Sequence, residues 1–415
     1  MPALIKRNIA LFALCQTFTG AGMQLAYGFG PLMVVQLTGS AALAGLSVAL
    51  IGFSRFLIAY PLGRITDAWG RRPGIMLGLV LAMLGAVVTG YSMELNSAAV
   101  LIVGLLVFSM GMNAAQQLRV AATDMFLPNR RAEALGYVAM GSLVGLSLSP
   151  LIVWWSERLA AEWRMDPLGL PWLMVPALIL PGMAMVFMVR PDPREIGANL
   201  GRYYPGYVPP PRSAAGQDDF DWRQMLANPR IMRAIVANFA GQGNMTVVMV
   251  LTSLVLHHHG HSLTDIAKSH VFHTVGMFAF TVPLGRLADR IGNERVMYPS
   301  VLVALLGAAM VAFTDGNYWL VTLGTFLVGL GWAGSNVAAT AEIADVYETH
   351  QRGRAIGVNE TIAGATNMLA AIVTGPILAL GGLPATGLGA VLFTLPPLVM
   401  VLPRLLRAAG GAGPR

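Results

Sequence analysis

The chain has 415 residues, of which 55% are apolar and 11% are charged, with a formal net charge of +7 and a mean hydropathy of +0.63. Soluble globular proteins carry about 25% charged residues, so this composition excludes a soluble enzyme, a disordered chain and a disulfide-stapled secreted domain. The single cysteine, Cys15, permits no internal disulfide and no cysteine-based metal cage. We therefore expect an integral membrane protein that is not an enzyme and does not bind nucleic acid.

Twelve segments are long and apolar enough to cross a bilayer, since each crossing needs roughly 20 apolar residues. The first is too long for the apolar region of a signal peptide and lacks a small-residue cleavage site, so it is predicted to be a span. The sequence thus predicts an all-α membrane protein with twelve transmembrane helices. They lie near 8–37, 42–62, 74–92, 97–121, 133–155, 169–189, 230–256, 264–284, 296–313, 317–340, 355–379 and 384–404.

The basic residues are strongly biased to one side of this arrangement. If both termini share a side, all but five of the 27 lysines and arginines lie there. Arg158, Arg164 and Lys268 lie opposite, and Arg55 and Arg119 lie within or at the end of spans. The positive-inside rule then predicts a multi-pass protein of the cell inner membrane with both termini in the cytoplasm.

One long polar segment divides the chain. Residues 190–229 contain the prolines Pro209 to Pro211 and an acidic patch of Asp218, Asp219 and Asp221. We interpret this segment as a cytoplasmic linker between a six-helix bundle at 1–189 and a second bundle at 230–415.

The two halves repeat each other. Gly63, Asp67 and Gly70, between the second and third spans, recur with the same spacing as Gly285, Asp289 and Gly292, between the eighth and ninth. A second set agrees, because three residues after the fourth span recur after the tenth. That set pairs Asp124, Arg131 and Gly136 with Asp345, Arg352 and Gly357.

The segment Gly-x-x-x-Asp-x-x-Gly-Arg-Arg at 63–72 resembles the signature of the major facilitator superfamily, and the resemblance extends over the whole chain. It implies two six-helix pseudo-repeats that rock about a central site. It also implies a gating loop formed by Gly63, Asp67, Gly70, Arg71 and, in the second half, Asp289. The alternative is an inert charged connection that only enforces topology.

Polar residues within spans are expensive in lipid and are therefore functional candidates. Gln24, Tyr27 and Arg55 are candidates for the substrate cavity, although Arg55 has two interpretations: it could face an anionic ligand, or snorkel or form a structural pair. In the second half we expect Glu360 to be the best-buried carboxylate and a candidate proton carrier. An ion pair with Arg352 or Arg354 is the alternative.

Histidine and methionine form the most unusual pattern. Four histidines lie in the outer loop between the seventh and eighth spans, where they could capture a soft or borderline metal or simply form a polar loop. These are His257, His258, His259 and His261. Below them, two pairs at i, i+4 spacing each share a helix face, with His270 joining the second. Those pairs are Met245 with Met249 and His273 with Met277, at depths of about 10–20 Å.

Two thioethers and an imidazole suit Cu(I), although methionine also fills gaps in apolar cores. Met-x-x-x-Met on the seventh span and His-x-x-x-Met on the eighth resemble the CcoA-like copper importers of the same superfamily. The resemblance implies that Met245 and His273 are the essential ligands. Those importers often carry functional cysteines as well, and here only Cys15 is present.

Our first hypothesis is therefore a monomeric secondary transporter that imports copper across the inner membrane by alternating access. It implies copper as the transported ion and not a cofactor, with possible delivery to cytoplasmic copper chaperones or oxidase assembly. The alternative is a carrier of a small organic molecule, by riboflavin-like import or drug efflux, in which the Met/His stripe only packs. Efflux is the weaker form, because the fifth span lacks the full Gly-Pro-x-x-Gly-Gly ending of proton-coupled drug exporters.

Overall fold

The computed structural model describes residues 1–127, 130–146, 148–207, 220–314, 316–347 and 349–410. Apart from one short 3-10 turn, every regular element in these ranges is an α-helix. In chain order they are α1 (Ala3–Thr38), α2 (Leu46–Trp69), α3 (Arg71–Glu94), α4 (Ala98–Ala115), α5 (Gln117–Asp124), α6 (Arg131–Leu146), α7 (Leu148–Trp163), α8 (Leu170–Met188), α9 (Pro193–Ala198), α10 (Leu200–Tyr203), α11 (Trp222–Ala227), α12 (Pro229–His258), α13 (Leu263–Ala279), α14 (Thr281–Ile291), α15 (Asn293–Phe313), α16 (Tyr318–Val346) and α17 (Thr349–Gly410).

Ten helical stretches in the described ranges are long and apolar enough to span a membrane. The difference from the twelve predicted spans has two local causes. The fifth predicted span corresponds to α6 and α7, two stretches of 16 residues on either side of residue 147, which lies outside the described residues, and neither stretch is long enough by itself to be counted. The last two spans are merged in α17, where Gly382 has a non-helical backbone with φ 67° and ψ −164°. When α6 and α7 are counted together as one span and α17 is counted as two, the total is twelve. The predicted all-α fold with two repeats of six spans is confirmed.

The chain forms two compact units. The first comprises Met1–Gly216 with Ser262–Val271, and the second comprises Gln217–His261 with Phe272–Arg415. The boundary at Gly216 lies inside the predicted linker 190–229, and α13 contributes to both units.

Each unit contains a pair of consecutive helices whose backbones approach closely at a glycine. In the first unit, a Cβ added to Gly85 of α3 would collide with the backbone of Phe108 on α4. In the second unit, Gly307 of α15 meets the carbonyl of Gly324 on α16 in the same way. Small residues at such contacts let membrane helices pack by van der Waals contact. Gly85 and Gly307 occupy equivalent positions, so the sequence repeat is also a packing repeat.

The described parts of the predicted linker contain helices. These are α9, α10 and α11, and the Asp192 carboxylate accepts hydrogen bonds from the backbone N–H groups of Arg71 and Arg72 at 3.1 and 2.9 Å. Asp192 therefore caps the start of α3, where helix N–H groups have no partner within the helix. Of the predicted proline run and acidic patch, only Asp221 lies within the described residues, where it caps α11.

Candidate transport site

The loop predicted to gate the first half is almost entirely helical. Gly63 and Asp67 lie in α2, with the Asp67 side chain outside the described part of the chain, and Gly70 alone separates α2 from α3. Gly70 has φ 101° and ψ 172°, and its equivalent Gly292 has φ 96° and ψ 146°. These backbone angles are open essentially only to glycine. The segment predicted to form the gating loop is therefore helical up to Gly70, because helix formation continues until the one residue that turns the chain.

Charged residues surround this turn. Arg71 Nε donates to Asp124 Oδ2 at 2.8 Å and so connects the start of α3 to the end of α5. In the second half, Asp289 is exposed on α14. The gating role of these residues remains a prediction.

The methionine stripe lies on a helix that is buried on nearly all sides. Met245 and Met249 of α12 are buried, but so are Thr246, Val247 and Val248 between them. Burial therefore does not distinguish a ligand-bearing face from ordinary packing on this helix. Met277 of α13 is half-buried.

His273 has a defined protonation pattern. Its Nδ1 lies 2.8 Å from the Thr325 carbonyl oxygen of α16, so Nδ1 carries the proton and Nε2 carries the lone pair. His270, by contrast, belongs to the first unit, where its ring packs against Gly28 of α1 and its Nδ1 bonds to the Ile266 carbonyl. The five predicted metal ligands are thus divided between the two units.

The predicted outer histidines do not converge. His257, His258 and His259 are exposed, while His259 Nδ1 and His261 Nε2 donate to the carbonyl oxygens of Val255 and Gly316 at 2.8 and 2.9 Å. Across the described ranges, no three His, Cys, Asp or Glu side chains are placed to hold one metal ion. Metal capture by this tract remains a prediction without a cluster to support it.

The expectation for the carboxylates was wrong. Glu360 of α17 is exposed, whereas Glu342 of α16 is 4% exposed and accepts hydrogen bonds from Arg230 and Asn293. The cause is helix geometry, because Glu360 lies about 100° round the helix from its buried neighbour Asn359. Glu360 has no hydrogen bond or ion pair with the rest of the described chain, so a pair with Arg354 is not observed, and the Arg352 side chain of the other alternative lies outside the described part of the chain.

A chain of asparagine amides joins three helices of the second unit. Asn336 of α16 donates to Asn238 Oδ1 of α12 at 3.1 Å, and Asn238 Nδ2 donates to Asn359 Oδ1 of α17 at 3.2 Å. Each residue lies about 14–15 Å along its helix from the nearer end, which is close to the middle of a bilayer. Among the described residues, Asn359 Nδ2 is buried without a hydrogen-bond acceptor.

Aromatic and polar groups adjoin this asparagine chain. Trp332 lies one turn from Asn336 on α16, packs edge-on against Phe278 at 6.4 Å, and has no acceptor for its indole N–H in the described ranges. Gln242 is one turn from Asn238 on the same face of α12. Sequence reasoning missed Asn238, Asn336 and Trp332. The signal that could have indicated them is a polar or indole group at mid-depth of an apolar helix.

The three predicted cavity residues of the first half differ in exposure. Gln24 and Tyr27 lie on α1, where Gln24 is buried and Tyr27 is half-buried, while Arg55 is exposed on α2. All three residues belong to the first unit.

Comparison with known proteins identifies the family to which this architecture belongs. Residues 12–270 and 234–413 match the Major Facilitator Superfamily. The riboflavin transporter RfnT of Brucella anthropi is 25% identical, over 90% of this chain and 89% of its own length. The multidrug resistance protein MdtG of Dickeya zeae is 27% identical over 95% and 92%.

Solved structures agree on the fold. The nucleoside transporter NupG superposes with a TM-score of 0.70 at 14% identity, covering 97% of this chain and 98% of that one. A sequence family that matches nearly the whole chain, two equivalent glycine turns and two sets of six spans lead to one assignment. The chain belongs to the Major Facilitator Superfamily and is a membrane transport protein, not an enzyme.

Proposed function

We propose that this secondary transporter carries a small, polar, heteroaromatic organic molecule rather than copper. The observation that carries the proposal is the mid-depth site of the second unit, where Asn359 Nδ2 and Trp332 Nε1 are hydrogen-bond donors without acceptors among the described residues. An N–H donor repels a cation but binds a carbonyl oxygen or a ring nitrogen. The Trp332 ring adds a surface on which a flat ring can stack.

The substrates for which related proteins are named support the same class. RfnT is named for riboflavin and NupG is a nucleoside transporter, and both substrates are flat heterocycles with several acceptors. Ligand sites of this type are mostly apolar with a few well-placed polar groups, as are the surroundings of Asn238 and Asn336.

The test is uptake of labelled riboflavin, uridine and nicotinate into liposomes that contain the purified chain. We expect at least one of the three to accumulate, and Trp332→Phe, which keeps the ring but removes the N–H donor, to lower its uptake at least fivefold. Trp172→Phe is the matched control, because the Trp172 indole N–H also lacks an acceptor but is fully buried in the first unit. Uptake of none of the probes, or equal loss in both variants, would reject the proposal.

Copper import is the second candidate, favoured by one observation. The Thr325 carbonyl fixes His273 with its lone pair on Nε2, the form that binds metal, and an orienting bond of this kind is usual for a metal-binding histidine. The same liposomes loaded with a Cu(I) chelator would test it. If the wild type takes up copper and both Met245→Ala and His273→Ala abolish that uptake, copper import becomes the favoured function.

We also propose that both termini face the cytoplasm, in the inner membrane. The bias of lysine and arginine to one side of the twelve spans supports this orientation. A C-terminal reporter that is active only in the cytoplasm would fluoresce if the proposal is correct. A reporter active only outside the cytoplasm would respond if it is reversed.

A further inference from the structure

Three arginines of the first unit meet at one end of α8. The guanidinium groups of Arg72 and Arg190 lie 4.8 and 5.6 Å from the centre of the same Phe187 ring, so the two groups are neighbours. Arg7 of α1 joins them, because its Nη2 donates to the Arg190 carbonyl oxygen at 2.8 Å. The start of α1, the start of α3 and the end of α8 thus bring three cations together around one aromatic ring. We call these four residues the Phe187 cluster.

The contacts of the cluster hold its arginines in place without neutralising them. Asn8 is fully buried, accepts a hydrogen bond from Arg7 at 3.2 Å and lies 3.4 Å from the Arg190 carbonyl oxygen, to which it donates. No Asp or Glu in the described ranges forms an ion pair with any of the three arginines. The Asp192 carboxylate, close by in sequence, accepts instead from three backbone N–H groups. The cluster therefore keeps its positive charge.

The ring at the centre of the cluster belongs to an exposed apolar stripe. Phe187 is 57% exposed and shares one face of α8, at helical spacing, with the exposed residues Ala177, Leu180 and Ala184. The neighbouring helix α3 carries a second exposed stripe, which begins next to Arg72 and consists of Pro73, Leu77, Val80 and Leu84. In a membrane protein, an exposed apolar stripe along a span faces lipid. The cluster therefore lies where two lipid-facing stripes end.

We propose that the Phe187 cluster binds the headgroup of an anionic phospholipid through its phosphate, with the acyl chains along the stripes of α3 and α8. Arginine stays charged and offers parallel N–H donors that match phosphate oxygens. The occupant is a phospholipid and not a soluble phosphate compound, because the positive charge is continuous with exposed apolar surface. The site is independent of the molecule that is transported.

The expected preference follows from the number of arginines. One basic residue near an anionic membrane surface strengthens binding about fivefold. Three of them, held together, should therefore distinguish an anionic lipid from a zwitterionic one with the same acyl chains. Arginines that merely lie among headgroups, without a common site, would be occupied by either lipid and would retain neither after extraction.

The test is native mass spectrometry of the purified full chain in detergent, titrated with phosphatidylglycerol or with phosphatidylcholine. We expect at least one phosphatidylglycerol to bind tenfold or more tightly than phosphatidylcholine. The triple variant Arg7→Gln, Arg72→Gln and Arg190→Gln should lose this preference. Phe187→Leu should reduce it severalfold, because the side chain stays apolar but no longer offers a ring to the guanidinium groups.

Arg158→Gln is the matched control. Arg158 also lies over a ring of the same unit, 3.5 Å from the centre of the Trp154 ring, but as a single arginine. This variant should keep the preference. Thermal unfolding without lipid shows whether the triple variant is folded, and if it is not, Phe187→Leu decides the test.

Three results would reject the lipid site. They are equal binding of the two lipids, a wild-type preference in the triple variant or, if that variant is unfolded, in Phe187→Leu, and an equal loss in Arg158→Gln. Competition identifies the source of the phosphate. Millimolar glycerol phosphate should not displace phosphatidylglycerol from the wild type. Complete displacement would assign the cluster to a soluble phosphate compound and overturn the proposal.

Discussion

Arg71 and Asp124 form an ion pair at 2.8 Å, and at the equivalent place in the second half Asn293 Nδ2 donates to Asp345 Oδ2 at 3.0 Å. The two halves therefore keep the same contact between the start of one helix and the end of another, but only the first half keeps both charges. A hydrogen bond between two charged groups is roughly twice as strong as one between neutral groups. The first-half contact should accordingly be the stronger of the two.

We predict that Asp124→Asn lowers the free energy of unfolding by about 1–2 kcal/mol, at the low end of what a hydrogen bond to a charged group contributes. Both side chains are less than a quarter exposed, so solvent weakens the pair only in part. Asp345→Asn should lower it by no more than about 0.5 kcal/mol, because its partner is neutral and the contact is exposed. Thermal unfolding of the detergent-solubilised variants measures the difference. Equal losses would contradict the charge argument.

The two glycine turns give a second prediction. Gly292→Ala should lower the free energy of unfolding by about 1–3 kcal/mol through backbone strain alone, since no atom lies within 4 Å of an added Cβ. Gly70→Ala should lower it further, because its Cβ would lie 2.7 Å from Asp192 Oδ2 and displace the cap of α3. The yield of folded protein after solubilisation reports both effects. Gly20→Ala, at a helical glycine with open space around it, is the control that should keep its yield. A Gly70→Ala yield as high as that of Gly292→Ala would show that the cap contributes nothing.

The sequence predicted the spans and the repeat because both depend on patterns within a short window. An apolar run of about 20 residues has one common structural outcome in a membrane protein. The glycine turns were foreseeable for a similar reason, since Gly70 and Gly292 each follow an aspartate by three residues, Asp67 and Asp289. What was missed around Gly70 was the helical state of Gly63 and Asp67, which a count of loop-like residues does not reveal.

The candidate site was less predictable because its contacts are remote in sequence. Asn238 and Asn359 are 121 residues apart, and nothing local to either one indicates the other. The two carboxylates also show that local sequence does not determine which side chain is buried. Glu342 lies near the end of α16 and Glu360 lies beside Asn359 at mid-depth of α17, and only the packing of the two helices determines which carboxylate is buried.

Glu157 of α7 provides a third prediction, because it caps a helix that follows it by about a hundred residues. Its Oε1 accepts from the backbone N–H of Leu263 at 2.8 Å, and its Oε2 accepts from the Thr264 hydroxyl. Negative charge at a helix start is favourable, so Glu157→Gln should cost about 1 kcal/mol locally. Amide hydrogen exchange at the first turn of α13 should then accelerate about fivefold. Glu162→Gln, at an exposed position of the same helix, should leave that exchange unchanged. Unchanged exchange in Glu157→Gln would show that the local cap from Ser262 is sufficient by itself.

Substitutions of Glu342 and Glu360 should distinguish an effect on stability from an effect on proton coupling of transport. Glu342→Gln removes the charge that faces Arg230 and Asn293, so we expect the free energy of unfolding to fall by about 2–3 kcal/mol. Glu360→Gln removes no contact that the described residues make, so the midpoint of thermal unfolding should not change.

If Glu360 carries the coupling proton, uptake by Glu360→Gln should lose its dependence on external pH, whereas Glu360→Asp should keep it. Uptake by Glu360→Gln with the wild-type pH dependence would remove Glu360 from the coupling mechanism. A falling unfolding midpoint would instead reveal a structural partner for this carboxylate.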